Sequence, residues 1–230
     1  MKLALLLTYA YLIGSVPTAY LIGKWVKGID IRRYGTGNVG GSNLYSHVGR
    51  KWVFPLIAFE LLGKGMSPIL LGYYLFGYAW PSWPLAFAGW LAIAGHNWPV
   101  WLRFTGGRGV LTAVGALMLL AWWPTVLGAA VVVAGWAVFR NSGLWVGIGL
   151  VSAPLWALLL DLPTPAVGFA LGVVLIIALK RLMGNGAPPP GEPLGRVLRY
   201  RLLYDRDIRD ADEWKRRKPP GNTPKEGPTS

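Results

Sequence analysis

The stretch Val110-Leu-Thr-Ala-Val-Gly-Ala-Leu-Met-Leu-Leu-Ala-Trp-Trp-Pro-Thr-Val-Leu-Gly-Ala-Ala-Val-Val-Val-Ala-Gly-Trp-Ala-Val-Phe139 holds 30 residues without a charge. One straight helix of that length would measure about 45 Å, against a hydrocarbon core of about 30 Å. Proline disfavours helix in the residue before it. Pro124, behind Trp122 and Trp123, therefore marks a break, and the stretch divides into two apolar segments, 110–122 and 125–139.

Outward from there the pattern repeats. Further apolar segments run over 3–23, 52–79 (interrupted by Glu60 and Lys64), 83–102, 144–160 and 165–179. Over the 230 residues, 53% are apolar and 14% charged, where an average soluble domain carries roughly 25% charge. So few charges cannot cover the surface of a soluble domain of this size. The absence of cysteine excludes a disulfide scaffold and a thiolate zinc site. The net charge of +13 invites a nucleic-acid reading, but its location argues against one. Residues 1–179 hold 11 Lys and Arg with 3 acids, and residues 180–230 hold 12 with 7. The chain reads as an all-α integral membrane bundle of about seven transmembrane helices over 1–183, followed by a polar, basic, partly disordered tail over 184–230.

Charge also sets orientation. The loops 24–51 and 103–109, the joint 140–143 and the start of the tail carry Lys and Arg, whereas 80–82, 122–125 and 161–164 carry none. Basic loops face the cytoplasm, which puts the N-terminus outside and the C-terminus inside. Segment 3–23 has the polarity of a signal peptide, but no small-residue cleavage pattern follows it, so it reads as a retained span. In the tail, Leu194, Val197, Leu198, Leu202 and Leu203 recur at helical spacing among arginines. This pattern is open to two readings, an amphipathic helix on an anionic leaflet or a solvated basic tail that helps set topology. The flanking Gly- and Pro-rich stretches, 184–191 and 218–225, read as poorly ordered.

Two polar, glycine-rich segments sit at cytoplasmic ends of spans. The first, Asp30-Ile-Arg-Arg-Tyr-Gly-Thr-Gly-Asn-Val-Gly-Gly-Ser-Asn43, offers backbone N–H groups that glycine lets turn inward, with donors on Arg32, Thr36, Asn38, Ser42 and Asn43. Such concavities bind anions; the other reading is a tight turn rich in Gly and Asn. The second, Gly95-His-Asn-Trp-Pro-Val-Trp-Leu-Arg-Phe-Thr-Gly-Gly-Arg-Gly109, opens onto a helical pattern. There the N–H groups of Gly106 and Gly107 and the Arg108 guanidinium can surround a phosphate. His96 and Asn97 form a polar pair in an apolar span, either satisfied by neighbouring carbonyls or functional. Glu60 and Lys64, at i,i+4, share a helix face in the better order for an ion pair. They should face the bundle interior, as a structural pair or as part of an anion pocket.

Gly14-Ser-Val-Pro-Thr18, Asp30-Ile-Arg32, Gly35-Thr-Gly-Asn-Val-Gly-Gly-Ser-Asn43, Lys64-Gly65, Gly95-His-Asn-Trp-Pro99 and Gly106-Gly-Arg-Gly109 occur in the order and spacing of the PlsY family. The chain resembles these bacterial acyl-phosphate:glycerol-3-phosphate acyltransferases over about residues 11–112. The resemblance implies a multi-pass protein of the bacterial inner membrane with its site on the cytoplasmic side. It implies acyl transfer from acyl phosphate to the 1-hydroxyl of glycerol 3-phosphate, yielding lysophosphatidic acid for phospholipid synthesis without coenzyme A, cofactor or metal. Candidate catalytic residues are then Thr36, His96 and Arg108. Candidate substrate- and phosphate-binding residues are Arg32, Gly37, Asn38, Asn43, Lys64, Asn97, Gly106 and Gly107.

The chain departs from the family pattern at four places. Thr36 stands for a serine, Ser46 for an arginine and Arg108 for a lysine. In the third motif, counting back from Lys180-Arg-Leu182 puts Leu175 and Ala178 where a His and an Asn are usual. Two other readings stay open, the first from those losses and the second from the composition. One is a catalytically weak or inactive relative that binds anionic lipid or phosphate. The other is a small transporter, which the lack of an internal repeat disfavours.

The one-sided distribution of bases generates a topology prediction. A tag after Ser230 should be labelled only from the cytoplasm and a tag before Met1 only from outside. Labelling of both tags from one side would contradict the orientation.

Overall fold

The computed structural model describes residues 1–189, 191–210 and 213–214. It is helical throughout, with no strand among the described residues. Among the described residues, five helical stretches are long and apolar enough to cross a membrane by length and composition: Lys2–Lys27, Arg50–Tyr74, Trp122–Phe139, Ser142–Leu159 and Thr164–Met183. The shorter apolar helices Trp83–Asn97 and Val110–Leu120 complete the body. The closing stretch 218–225 of the expected tail lies outside the described residues.

Proline positions decide where the apolar segments break. The first segment is not one unbroken helix, as its sequence reads. It consists of α1 (Lys2–Ser15) and α2 (Thr18–Lys27), parted at Val16-Pro17. Pro17 lacks an N–H, and its ring drives Val16 out of helix (φ −57°, ψ 116°). The long apolar stretch does divide, but at Ala121 (φ −150°, ψ 62°) rather than around Pro124. Pro124 instead sits in the first turn of α8 (Trp122–Phe139), after α7 (Val110–Leu120). A proline there costs nothing, because first-turn N–H groups have no helical partner.

Between these lie the short α3 (Gly41–His47) and a composite second span. That span is α4 (Val53–Ala58), a π-helical run over Phe59–Met66 and α5 (Ser67–Tyr74). The π-helical turns carry both charges of the span, Glu60 and Lys64, and both are buried. Then come α6 (Trp83–Asn97), α7, α8, α9 (Ser142–Leu159) and α10 (Thr164–Met183).

Helices in lipid gain little from hydrophobic exclusion between themselves, so close backbone approach through small residues matters. A Cβ on Gly14 of α1 would strike the Ala92 backbone of α6, and one on Gly95 of α6 would come within 2.9 Å of Ser15 N. Gly65 of the π-helical run meets α7 at Thr112 and Gly115 in the same manner. Gly128 of α8 and Gly149 of α9 face each other, with Cβ positions 2.9 and 2.8 Å from the partner's carbonyl oxygen. The main core, with Leu85, Ile93, Leu117, Phe169 and Val173 among its members, joins α6, α7 and α10.

The region after α10 folds back onto the body. Helix α11 (Leu194–Tyr204) packs against α9 and α10, with Val197 and Arg201 buried. Arg201 donates to the carbonyls of Leu182, Met183 and Gly186, and its guanidinium meets the Asp207 carboxylate at 2.6 Å. Arg181 of α10 returns a bond to Leu202 O at 2.9 Å. The helix expected from that spacing forms, but its buried side carries Val197 and Arg201, while Leu194, Leu202 and Leu203 are exposed.

The Gly128–Gly149 contact supplies a stability test remote from any polar cluster. Gly149→Val should cost about 1–3 kcal/mol by overpacking. It should lower the thermal midpoint in detergent, whereas Leu175→Val on the exposed face of α10 should leave the midpoint unchanged.

Candidate active site

Glu60 is 2% exposed and receives three polar contacts. Lys64 Nζ lies 2.6 Å from Oε1, His96 Nδ1 lies 2.7 Å from Oε2, and Thr112 Oγ1 donates to Oε2 at 2.8 Å. Three elements thus meet at one carboxylate: the π-helical run supplies Glu60 and Lys64, the end of α6 supplies His96, and α7 supplies Thr112. Burying one carboxylate in a span is costly unless it is paired and hydrogen-bonded, and here both requirements are met. Lys64 Nζ is also 3.4 Å from His96 Nδ1. The shorter contact to Glu60 assigns Nδ1 as the donor, so the neutral ring carries its lone pair on Nε2. Nε2 faces Gly107, where any side chain would collide with it.

A cleft opens onto this group, with Glu60, Lys64, His96, Gly106 and Gly107 on its wall. The break in the first span forms the opposite side through Ser15, Val16, Pro17 and Thr18. Ser15 is fully buried, and its Oγ has no hydrogen-bond partner among the described residues. The hydroxyl therefore remains available to a molecule in the cleft.

The second glycine-rich segment is shaped differently from its sequence reading. Gly106 N–H donates to Asn97 O and Gly107 N–H donates to His96 O, both at 3.2 Å. These N–H groups close the end of α6 and do not stand free for a phosphate. Their correction has a steric cause: a Cβ at Gly106 would lie 2.8 Å from Asn97 O, so only glycine brings the chain this close. Asn97 is fully buried, and both its amide atoms are unpartnered among the described residues.

Arg108 does not line the cleft. Its Nε meets Asp205 Oδ1 at 2.6 Å and its Nη1 donates to Lys180 O at 3.3 Å. Lys180 and Arg181 are 2% and 4% exposed beside it, and the Lys180 ammonium lies over the Trp98 ring. Three cations thus gather near the carboxylate of Asp205. That excess positive charge next to Gly107 is suited to an anion. The sequence reading included Arg108 and missed Lys180 and Arg181 as site residues, taking them as the basic start of the tail.

The first glycine-rich segment folds around Asn43. Its Nδ2 is 3.0 Å from the carbonyls of Ile31, Tyr34 and Asn38, so Asn43 holds the loop together and its amide is spent there. Gly35 and Gly37 take φ of 52° and 69°, which only glycine adopts without strain. Thr36 Oγ1 accepts from Asn38 N–H at 3.4 Å. Arg32 pairs with Asp30 at 2.7 Å. The Arg32 hydrogen bond holds the Asp30 carboxyl below the usual carboxylate range, and Asp30 raises Arg32 in return. The loop meets the second segment where Val39 O lies beside Gly107, 2.7 Å from a Cβ position. Val39 also lines the cleft.

Leu175 does not stand on the side of α10 that faces the site. It is 69% exposed, and the buried side of α10 carries Val173, Ile177, Lys180 and Arg181. Helical period accounts for the difference: positions 173, 177 and 180 repeat at four and three residues, and 175 falls on the far side.

A family model described as glycerol-3-phosphate acyltransferase matches residues 4–184. The chain belongs to that family. It is 36% identical over 216 residues to Glycerol-3-phosphate acyltransferase 4 of Dehalococcoides mccartyi (strain CBDB1), covering 89% of each chain. It is 43% identical over 119 residues to Glycerol-3-phosphate acyltransferase of Synechococcus sp. (strain CC9902), covering 51% of this chain and 57% of that one. A crystal structure of PlsY (YgiH), an integral membrane glycerol 3-phosphate acyltransferase in its glycerol 3-phosphate form, aligns with a TM-score of 0.72. That alignment has 29% identity and covers 79% of this chain and 88% of the other. The all-helical body is thus that of an integral membrane protein of this family.

Removing the Glu60 charge strands Lys64 in a dry environment. Glu60→Gln should cost about 3–5 kcal/mol, the usual result of breaking a buried pair, seen as a lowered unfolding midpoint in detergent. Glu60→Gln combined with Lys64→Met should recover part of the loss. A single variant as stable as wild type would contradict the pairing.

Proposed function

We propose that the chain transfers a fatty acyl group from acyl phosphate to the 1-hydroxyl of glycerol 3-phosphate, releasing lysophosphatidic acid and phosphate. The observation that carries this reading is the Glu60–His96 contact at the wall of the cleft, beside a cluster of buried cations. Glu60 orients His96 so that Nε2 takes the hydroxyl proton as the oxygen attacks the acyl carbonyl. A carbon–oxygen bond forms, and the bond from carbonyl carbon to phosphate oxygen breaks. The phosphate leaves with the electron pair. Lys64 and the unpartnered Ser15 hydroxyl face the charge that develops on the carbonyl oxygen. Arg108, Lys180 and Arg181 supply the field that holds phosphate.

An acyl phosphate suits such a site because it is an activated mixed anhydride. Alignment and charge stabilisation then supply most of the rate. The remaining sequence candidates take supporting roles in this reading. Arg32, Thr36, Gly37 and Asn38 form the loop bordering the phosphate, and Asn43 holds that loop in shape. Asn97 offers its unpartnered amide to the substrate. The basic loops and the site face the cytoplasm of a bacterial cell, where glycerol 3-phosphate is supplied from the aqueous side and the acyl chain from the bilayer.

Purified protein in detergent should release phosphate from acyl phosphate only when glycerol 3-phosphate is present. His96→Gln should reduce kcat by about 10²–10⁴-fold, with a smaller change in KM, as expected for a group acting in the transition state. Wild-type protein without turnover, or a His96→Gln variant at full rate, would contradict the reading.

A further inference from the structure

The segment that follows the last span touches the site at two points. Asn185 Nδ2 donates to Gly106 O at 3.0 Å and to Asn38 Oδ1 at 3.3 Å. One side chain thereby joins the two glycine-rich loops, which are separated by more than sixty residues of sequence. Twenty residues further on, Asp205 reaches Arg108. Both contacts lie beyond residue 184, where the family-model match stops.

The segment is built to hold Asn185 in place. Arg201 binds the carbonyls of Leu182, Met183 and Gly186, bracketing the turn that presents Asn185, and Asp207 fixes its guanidinium. Gly184 turns there at φ 62°, and a Cβ on it would lie 2.7 Å from the Arg201 guanidinium carbon. Arg201 is 4% exposed. A charge that deeply placed is expensive unless its hydrogen bonds are filled, and three carbonyls with one carboxylate fill them.

We propose that Asn185, held by Arg201 of α11, is a positioning residue that clamps the loops 35–43 and 105–109 into one substrate site. The inference rests on the proposed acyl transfer for its catalytic consequence, but the clamp itself can be read without substrate. Asn185→Asp keeps the shape of the side chain and removes both donated hydrogen bonds. Arg201→Lys keeps a charge and loses the fork that grips three carbonyls.

The experiment uses the full chain in detergent: wild type, Asn185→Asp, Asn185→Ala and Arg201→Lys. Amide hydrogen exchange is followed without substrate, and KM for glycerol 3-phosphate and kcat are measured separately. The clamp predicts faster exchange in 36–43 and 105–109 for all three variants, with the amides of α8 and α9 unchanged. It predicts a KM for glycerol 3-phosphate raised by about 10–100-fold, the scale of a misplacement of about 1 Å, with a smaller change in kcat. Wild-type exchange in both loops overturns the proposal, as does loosened exchange with an unaltered KM. A wild-type chain that turns nothing over contradicts the acyl-transfer reading, while the exchange data still decide the clamp. General unfolding of Asn185→Ala would appear as faster exchange in α8 and α9, and Asn185→Asp then carries the decision.

Discussion

The buried carboxylate of Glu60 is the interaction on which the rest of the structure depends. Without it, Lys64 would be an unpaired ammonium inside a span, and the Nδ1 of His96 would lack its acceptor. With it, the second span, α6 and α7 are tied at one point. The π-helical run over Phe59–Met66 is the backbone form that carries this group, and such turns recur at functional sites. Pairing satisfies the charges, and it also leaves the imidazole directed at the cleft. In the proposed reaction, stability and chemistry thus draw on the same three contacts.

Two prolines give this group a cleft to face. Pro17 interrupts the first span and exposes Ser15 to Thr18 to the interior. Pro99 follows the end of α6, where the returning chain bonds back to it through Gly106 and Gly107. The glycines of this protein serve mainly close approach. Gly106 and Gly107 let a loop lie against His96 and Asn97 in the way that Gly14 and Gly95 let α1 lie against α6.

Much of this was legible in the sequence because membrane burial imposes simple rules. Charge-free length marks apolar segments, and every expected segment forms helix. The i,i+4 spacing of Glu60 and Lys64 announced their pairing. His96 stood out as a polar residue in an apolar run. The break at Pro17 was readable by the same proline rule that set the expected one at Pro124, whereas the actual division at Ala121 was not. The roles of Thr112, Ser15 and Asn185 were not readable, because each depends on a partner distant in sequence. Arg108 was placed in a phosphate loop by its glycines, but its guanidinium is decided by Asp205, almost one hundred residues later. Leu175 was assigned by counting along a motif. Counting fixes a position in the chain, and only packing fixes which side of α10 faces inward.

The most direct test of the account is a structure of this protein with glycerol 3-phosphate bound. The account predicts the 1-hydroxyl within hydrogen-bond reach of His96 Nε2, about 2.6–3.2 Å, with the phosphate drawn toward Arg108, Lys180 and Arg181. A ligand whose hydroxyl lies away from His96, with the Glu60–His96 contact undisturbed and unused, would contradict it.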